Sequence, residues 1–363
     1  MSTVLGVVST TYHLLVFLFL KEAYMQEDDV DLVVTDKTAY MEEIYKSGRL
    51  KPYFRRVLFA DGRKIKNPYK SAPVTFWESM IHNPTTARIM DGPMDRYDRI
   101  FFASTALPDE IVKEIAKTAI LQNHKVTFHR FEDGFASYTK FPEHLINTDS
   151  GKFLYRKLFG YDIAQKENEL YLFEPYLAGD TGDFAKIKIP KDRERISKIL
   201  TMARDIFQFS CRPLAEEYVF LGQGAANSAN NPDTYRSMVL TIADYVGRDN
   251  FIIKPHPRGI YDDFSGTLSV YQDNCPFELT QAAGCLEEKT LISFYSTACI
   301  SGSLLFESNA RILFLYPLSG DSFNEKCDYE DYFDKLTQMY PNIHIAHTME
   351  ELYALLNKRT DSV

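Results

Sequence analysis

Short apolar runs alternate with segments of helical spacing along the first half of the chain. Val4–Val8 reads as a buried strand and His13–Tyr24 as the helix that follows it. Leu32–Thr35, Arg56–Phe59, Arg99–Ala103 and Lys125–Phe131 read as further strands, with helical spacing over Lys37–Lys46. Pro108 and Asp109 open a helix whose apolar positions Ile111, Val112, Ile115, Ala116, Ala119 and Ile120 keep the helical period. This alternation, without a tight hairpin signal, predicts a parallel sheet covered by helices on both faces.

The pattern breaks between Gly179 and Ser210. A turn-rich stretch, Gly179–Asp183, precedes the charged segment Lys186–Arg195 around Pro190, which reads as the approach to an interdomain connection. The alternation then restarts. Strands are expected at Tyr218–Leu221, Phe251–Lys254, Leu268–Tyr271, Leu291–Phe294, Arg311–Tyr316 and Ile343–Ala346. Helices are expected at Thr234–Val246, Thr297–Ser308, Tyr329–Gln338 and Met349–Lys358, the last opened by Thr348 and Glu351 in capping-box register. The expectation is an α/β chain with two Rossmann-like domains, 1–208 and 209–363, whose parallel sheets face a central cleft. Ligands bind outside the carboxyl ends of such strands.

Composition adds limits. A length of 363 residues suits two domains, and 45% hydrophobic with 25% charged residues is ordinary for a globular chain. A formal charge of -9 argues against nucleic acid as a partner. Leu14–Leu20 is too short to cross a bilayer and lacks the basic leader of a signal peptide. The five cysteines, Cys211, Cys275, Cys285, Cys299 and Cys327, form no Cys-x-x-Cys pair and read as reduced thiols in a cytoplasmic protein. No Asp-x-Asp pair is placed to hold a metal, so none is expected. The 23 Tyr and 26 Phe stand against one Trp, Trp77, and serve either a stiff core or ring faces for a sugar or base.

Four strand-end loops carry candidate chemistry. Glu132-Asp133-Gly134 follows Lys125–Phe131, where adjacent carboxylates supply a general base or merely a solvated acidic turn. Pro255-His256-Pro257-Arg258 follows Phe251–Lys254. The prolines stiffen the backbone around His256, and Lys254 and Arg258 suit an anion such as phosphate. Tyr295-Ser296-Thr297 leads into a helix, where hydroxyls either cap the helix or, with its N–H groups, meet a phosphate. Gly222-Gln223-Gly224 follows Tyr218–Leu221 and lets a backbone approach a nucleotide, without a full dinucleotide or P-loop fingerprint. A base in the first domain and an anion-binding wall in the second suit transfer from a nucleotide-linked donor to a hydroxyl.

Phe131-Glu132-Asp133-Gly134, Lys254-Pro255-His256-Pro257-Arg258 and Ser296-Thr297, in this order, resemble the three-motif signature of bacterial sialyltransferases. The resemblance is to glycosyltransferase family 52 and the related bacterial polysialyltransferases, over most of the chain from Thr11-Tyr12-His13 onward. It implies a GT-B-type fold, CMP-sialic acid as donor, inversion at the anomeric carbon, no metal and no cofactor beyond that co-substrate. Glu132 or Asp133 would deprotonate the acceptor, with Glu132 favoured. His256 would protonate or hydrogen-bond the leaving CMP phosphate. Gly222, Gln223, Lys254, Pro257, Arg258, Ser296 and Thr297 would bind the donor, and Thr11, Tyr12 and Gly134 the acceptor. Some family members place an acidic residue in the loop after the first strand of the second domain. Here Gly222–Asn227 holds no carboxylate, which favours the acidic pair as the base. The implied acceptor is a glycan of lipooligosaccharide or capsule, compatible with peripheral inner-membrane association and a homodimer. Two alternatives stay open: a GT-B transferase using another CMP- or CDP-linked donor, of polyol-phosphate type, and a non-catalytic sugar-nucleotide-binding protein.

Overall fold

Parallel strands are buried on both faces, and the apolar runs of the sequence take that role in the computed structural model. It describes residues 1–65, 89–104, 109–139, 142–146, 149–160, 162–210, 213–223, 232–256, 264–271, 275–318 and 326–357. The chain divides into two units, Met1–Gln208 and Phe209–Val363.

The first unit holds β1 (Thr3–Val8), α1 (Thr11–Tyr24), β2 (Asp29–Thr35), α2 (Ala39–Ser47), β3 (Arg56–Ala60), β4 (Arg99–Ala103), α3 (Glu110–Gln122) and β5 (Thr127–Phe131). It continues with α4 (Ala136–Thr139), α5 (Asp149–Phe159), β6 (Glu169–Leu172), β7 (Ala185–Lys188) and α6 (Arg193–Phe207). All strand pairs are parallel, in the order β3-β2-β1-β4-β5-β6-β7. The chain leaves β3 at one edge and re-enters beside β1, so the order reverses between β1 and β4. Loops leaving the strands diverge there, opening a natural ligand crevice. Helix α1 is apolar on every side, and Leu14–Leu20 are fully buried. It packs against α6, whose Glu22–Lys198 ion pair with α1 closes that layer.

The segment read as the approach to an interdomain connection is built of regular elements that end at the boundary between the units. Ala185–Lys188 is the seventh strand, and Arg193–Phe207 is a helix capped by Asp192, which accepts from the Arg195 N–H at 2.9 Å. Its Ile196, Ile199, Met202, Ala203, Ile206 and Phe207 are buried at helical spacing. The charges around Pro190 belong to the solvent side and the first turn of that helix.

The second unit holds β8 (Tyr218–Leu221), α7 (Pro232–Val246), β9 (Phe251–Lys254), β10 (Ser269–Val270), α8 (Phe277–Ala282), β11 (Thr290–Ser293) and α9 (Thr297–Phe306). Then come β12 (Arg311–Phe314), α10 (Lys326–Met339), β13 (Ile343–Ile345) and α11 (Met349–Asn357). Its sheet is also parallel, in the order β10-β9-β8-β11-β12-β13, and reverses between β8 and β11. Aromatic rings pack these layers, such as Phe220 among Tyr235, Phe251 and Phe294. Cys299 is a buried thiol. Cys285 is disulfide-bonded, against the expectation of reduced cysteines throughout.

Candidate active site

In the first unit the loops after β1, β5 and β6 converge on the acidic pair. Glu132 is the first residue beyond β5 and is fully buried. Tyr12, from the first turn of α1, and Tyr138, from α4, donate their hydroxyls to its two carboxylate oxygens. The Phe173 N–H, just past β6, donates to Oε2 at 3.0 Å. Burial pushes this carboxyl above its ordinary value, against the pull of those donors and of Lys191.

Asp133 points elsewhere, because successive residues leaving a strand face opposite sides. Its side chain keeps 25% of its exposure, and Oδ1 meets Nε2 of His13, which is 3% exposed. The other ring nitrogen, Nδ1, accepts the Ser9 N–H at 3.3 Å. An imidazole nitrogen that accepts carries no hydrogen, so the ring proton sits on Nε2 and is donated to Asp133. Both nitrogens are thereby occupied, and the outward group of this pair is the carboxylate. His13 is held in turn by the edge of the Phe131 ring and by Thr10, the N-cap of α1, which accepts the His13 N–H at 3.1 Å.

The turn is fixed around this carboxylate. Gly134 has φ of 72°, the left-handed region that glycine enters without a Cβ clash. The Asp133 N–H donates to Ser137 Oγ at 2.7 Å, and that hydroxyl reaches the Ser104 carbonyl at 3.2 Å beyond β4. A preorganised, partly exposed carboxylate at the carboxyl end of a strand can take a proton from a hydroxyl. An enclosed Glu132 cannot meet a substrate without losing three partners. Within the pair Glu132 is thus the enclosed carboxylate and Asp133 the partly exposed one. Of the residues assigned to the acceptor, Tyr12 is turned onto Glu132, Gly134 shapes the turn, and Thr11 is half-buried at the start of α1. His13 and Tyr138 were missed as site residues. For His13 the signal was a polar ring opening an otherwise apolar helix.

In the second unit the loops after β8, β9 and β11 lie together at the sheet's own reversal point. Ser293, fully buried, links them: its Oγ accepts from Gln223 Nε2 at 2.6 Å and from the Ser296 N–H at 3.1 Å, and donates to the Leu221 carbonyl at 2.9 Å. The Gly222 N–H donates to the Lys254 carbonyl at 2.9 Å, joining the β8 and β9 loops. Gln223 is thus a buried tie between loops. Lys254 carries its ammonium 5.5 Å from the centre of the Phe277 ring, and His256 is half-buried. Ser296 occupies the N-cap of α9 but does not turn its hydroxyl onto the helix's own N–H groups, and residues 295–298 are partly exposed. The ordinary capping use of such a serine is not made here. Pro257, Arg258 and Gly224–Asn227 lie outside the described residues. Among the described residues no group of three or more His, Cys, Asp or Glu side chains could hold a metal ion, and no helix is long and apolar enough to cross a membrane.

The architecture recurs in solved structures. UDP-GlcNAc 2-epimerase from Methanocaldococcus jannaschii matches 99% of this chain and 93% of its own, with a TM-score of 0.53 at 11% identity. The S. aureus MnaA–UDP co-structure matches 100% and 89%, with a TM-score of 0.52 at 10% identity. Spinosyn rhamnosyltransferase SpnG complexed with thymidine diphosphate matches 97% and 88%, with a TM-score of 0.51 at 10% identity. No protein-family model matches the sequence, and no curated protein matches it. At these identities the likeness concerns the fold, and it is that of an α/β chain of GT-B type with two Rossmann-like units.

Proposed function

We propose that the chain is an inverting, metal-independent sialyltransferase that moves sialic acid from CMP-sialic acid to a glycan hydroxyl, without a further cofactor. The observation that carries this reading is Asp133, a partly exposed carboxylate gripped by a buried His13 whose second nitrogen is already taken. Such a group is oriented before substrate arrives and serves as general base. The motif order supports CMP-sialic acid as the donor, and the nucleotides in the names of similarly folded proteins support a sugar nucleotide in general.

In the reaction, the acceptor hydroxyl attacks the anomeric carbon and passes its proton to Asp133. The bond from that carbon to the CMP phosphate oxygen breaks, and its electron pair stays on the phosphate. His256 hydrogen-bonds or protonates that oxygen. Ser296, Thr297 and the first N–H groups of α9 meet its growing charge, with Lys254 and Arg258 as local cations. The anionic donor is met by these groups locally, despite a chain charge of -9. Glu132 holds Tyr12, Tyr138 and the Phe173 backbone, and so positions the loop on which Asp133 sits.

A donor screen tests the reading. CMP release from CMP-sialic acid in the presence of a glycan acceptor, with a sialylated product, is expected. Turnover of CDP-glycerol and none of CMP-sialic acid would assign the chain to the polyol-phosphate alternative. Epimerisation of UDP-GlcNAc would place it with the epimerases of like fold. Nucleotide binding without product from any donor would make it a binding protein.

A further inference from the structure

The loop that leaves β6 is pinned at both ends to Glu132 and Tyr138. At its start the Phe173 N–H meets Glu132, and the Glu174 N–H donates to the Tyr138 hydroxyl at 3.4 Å. At its end the Gly179 N–H donates to the Tyr138 carbonyl at 3.1 Å. Between them Pro175–Leu177 makes one tight turn, closed by the Leu177 N–H on the Glu174 carbonyl at 3.0 Å. Phe173, Leu177 and Ala178 are buried and anchor this loop. Tyr176, at the middle of the turn, is instead 61% exposed.

Among the described residues, the other large apolar side chains exposed to water lie at the N-terminus or on helices. Two of those rings have local uses: Tyr24 donates its hydroxyl to the Lys188 carbonyl, and Tyr245 stacks on Tyr353. Tyr176 alone of this set is carried by a loop at the carboxyl end of the first sheet, on the strand beside β5. A second ring, half-buried Phe135, stands two residues beyond Asp133. A tyrosine has two side-chain torsions, so on a fixed turn little freedom is lost when its ring meets a ligand. A pyranose carries hydroxyls round its edge and C–H groups on its face, and a ring face matches the latter. Lys254, Ser296 and Thr297, assigned to the donor nucleotide, belong to the second unit, so the ring beside the general base falls to the acceptor.

We propose that Tyr176 is the platform on which a pyranose of the acceptor stacks, and that it sets acceptor preference toward sugars with a contiguous C–H face. The ring answers part of the aromatic excess of the chain, 23 Tyr and 26 Phe, with a binding use rather than a packing one. Because Glu132 and Tyr138 hold both the Asp133 turn and the Tyr176 loop, carboxylate and ring are fixed in one frame. The role as acceptor platform rests on the transferase reading, whereas the contact with a pyranose can be measured without it.

Lactose is the probe, used with the full chain. Saturation-transfer NMR without donor is expected to show contact with pyranose C–H protons, lost in Tyr176→Ala and kept in Tyr176→Phe and Tyr176→Trp, with unchanged thermal melts. With CMP-sialic acid present, Tyr176→Ala should raise the KM for lactose about threefold to tenfold. The KM for CMP-sialic acid and its hydrolysis without acceptor should stay as in wild type. A Tyr176→Ala variant that keeps the lactose contact or the acceptor KM would overturn the proposal, as expected of a ring that serves a protein contact instead. So would a Tyr176→Phe variant that fails as the alanine does, or a wild type that shows no contact with lactose. A wild type that binds lactose through Tyr176 but leaves CMP-sialic acid intact would sink the transferase reading alone, so the two fail separately.

Discussion

Nε2 of His13 and Oδ1 of Asp133 are bonded across 120 positions of sequence, and the histidine is the buried partner. In this pair the carboxylate faces outward and the imidazole serves it, because Ser9 already occupies Nδ1. His13→Ala removes the donor that aims the carboxylate and leaves nucleotide-binding groups untouched. The expected result is a kcat reduced by about tenfold to a hundredfold, with the KM for CMP-sialic acid unchanged. Steady-state kinetics beside a thermal melt checks it; an unchanged kcat removes His13 from its positioning role.

Glu132 makes stability depend on pH in a fixed direction. Its native carboxyl titrates above the ordinary value of 4.5 because burial disfavours the charge. The native state therefore holds the proton more tightly than the unfolded chain. The resulting stabilisation is fully present below the unfolded value and is lost as pH rises through the native one. Glu132→Gln carries no such charge, so its stability relative to wild type should improve as pH is raised from about 4 toward neutrality. Glu132→Ala instead removes the shared acceptor of Tyr12, Tyr138 and the Phe173 N–H, and leaving that buried N–H unpaired costs about 1–3 kcal/mol. Urea melts across that pH range distinguish the two substitutions.

Ser293 couples the β8 loop to the start of α9 through one hydroxyl. Ser293→Ala takes its partner from the buried Gln223 amide, costing about 1–3 kcal/mol, and releases the part-buried Ser296 N–H. The same change frees the helix start proposed to hold the phosphate. We expect a KM for the donor raised several-fold with kcat nearly unchanged, measured at saturating acceptor.

Helices α8 and α9 meet so closely that a Cβ on Gly302 would lie 2.3 Å from Gln281 Oε1. Gln281 is itself held to the Cys299 carbonyl at 2.9 Å, so it does not swing aside freely. Gly302→Ala should destabilise the second unit by about 1–3 kcal/mol through overpacking. A lower melting temperature with weaker CMP binding is the expected readout.

Much of this could be read from the chain, and the failures have physical causes. Central strands such as Val4–Val8 announce themselves because burial on both faces demands continuous apolar residues. Strand β7, Ala185–Lys188, carries two lysines because it is an outer, largely exposed strand, and it resembles a charged linker for that reason. Helix α6 did carry buried apolar spacing, masked by the charges of its first turn. Strand-end placement picked out Glu132 and Asp133 as a pair. It could not say which faced inward, because that is decided by Tyr12, His13, Tyr138 and Phe173, which come from three separate segments.

The most direct test of the account compares wild type, Asp133→Asn and Glu132→Gln with CMP-sialic acid and a small glycan panel, following CMP release and product mass. Wild type should sialylate at least one glycan. Asp133→Asn should lose about 10²–10⁴ of the rate while melting normally and still binding CMP, as expected on removal of a general base. Glu132→Gln should retain more activity than Asp133→Asn. An Asp133→Asn variant that transfers at the wild-type rate, or a wild type that leaves CMP-sialic acid intact with every acceptor, would contradict it.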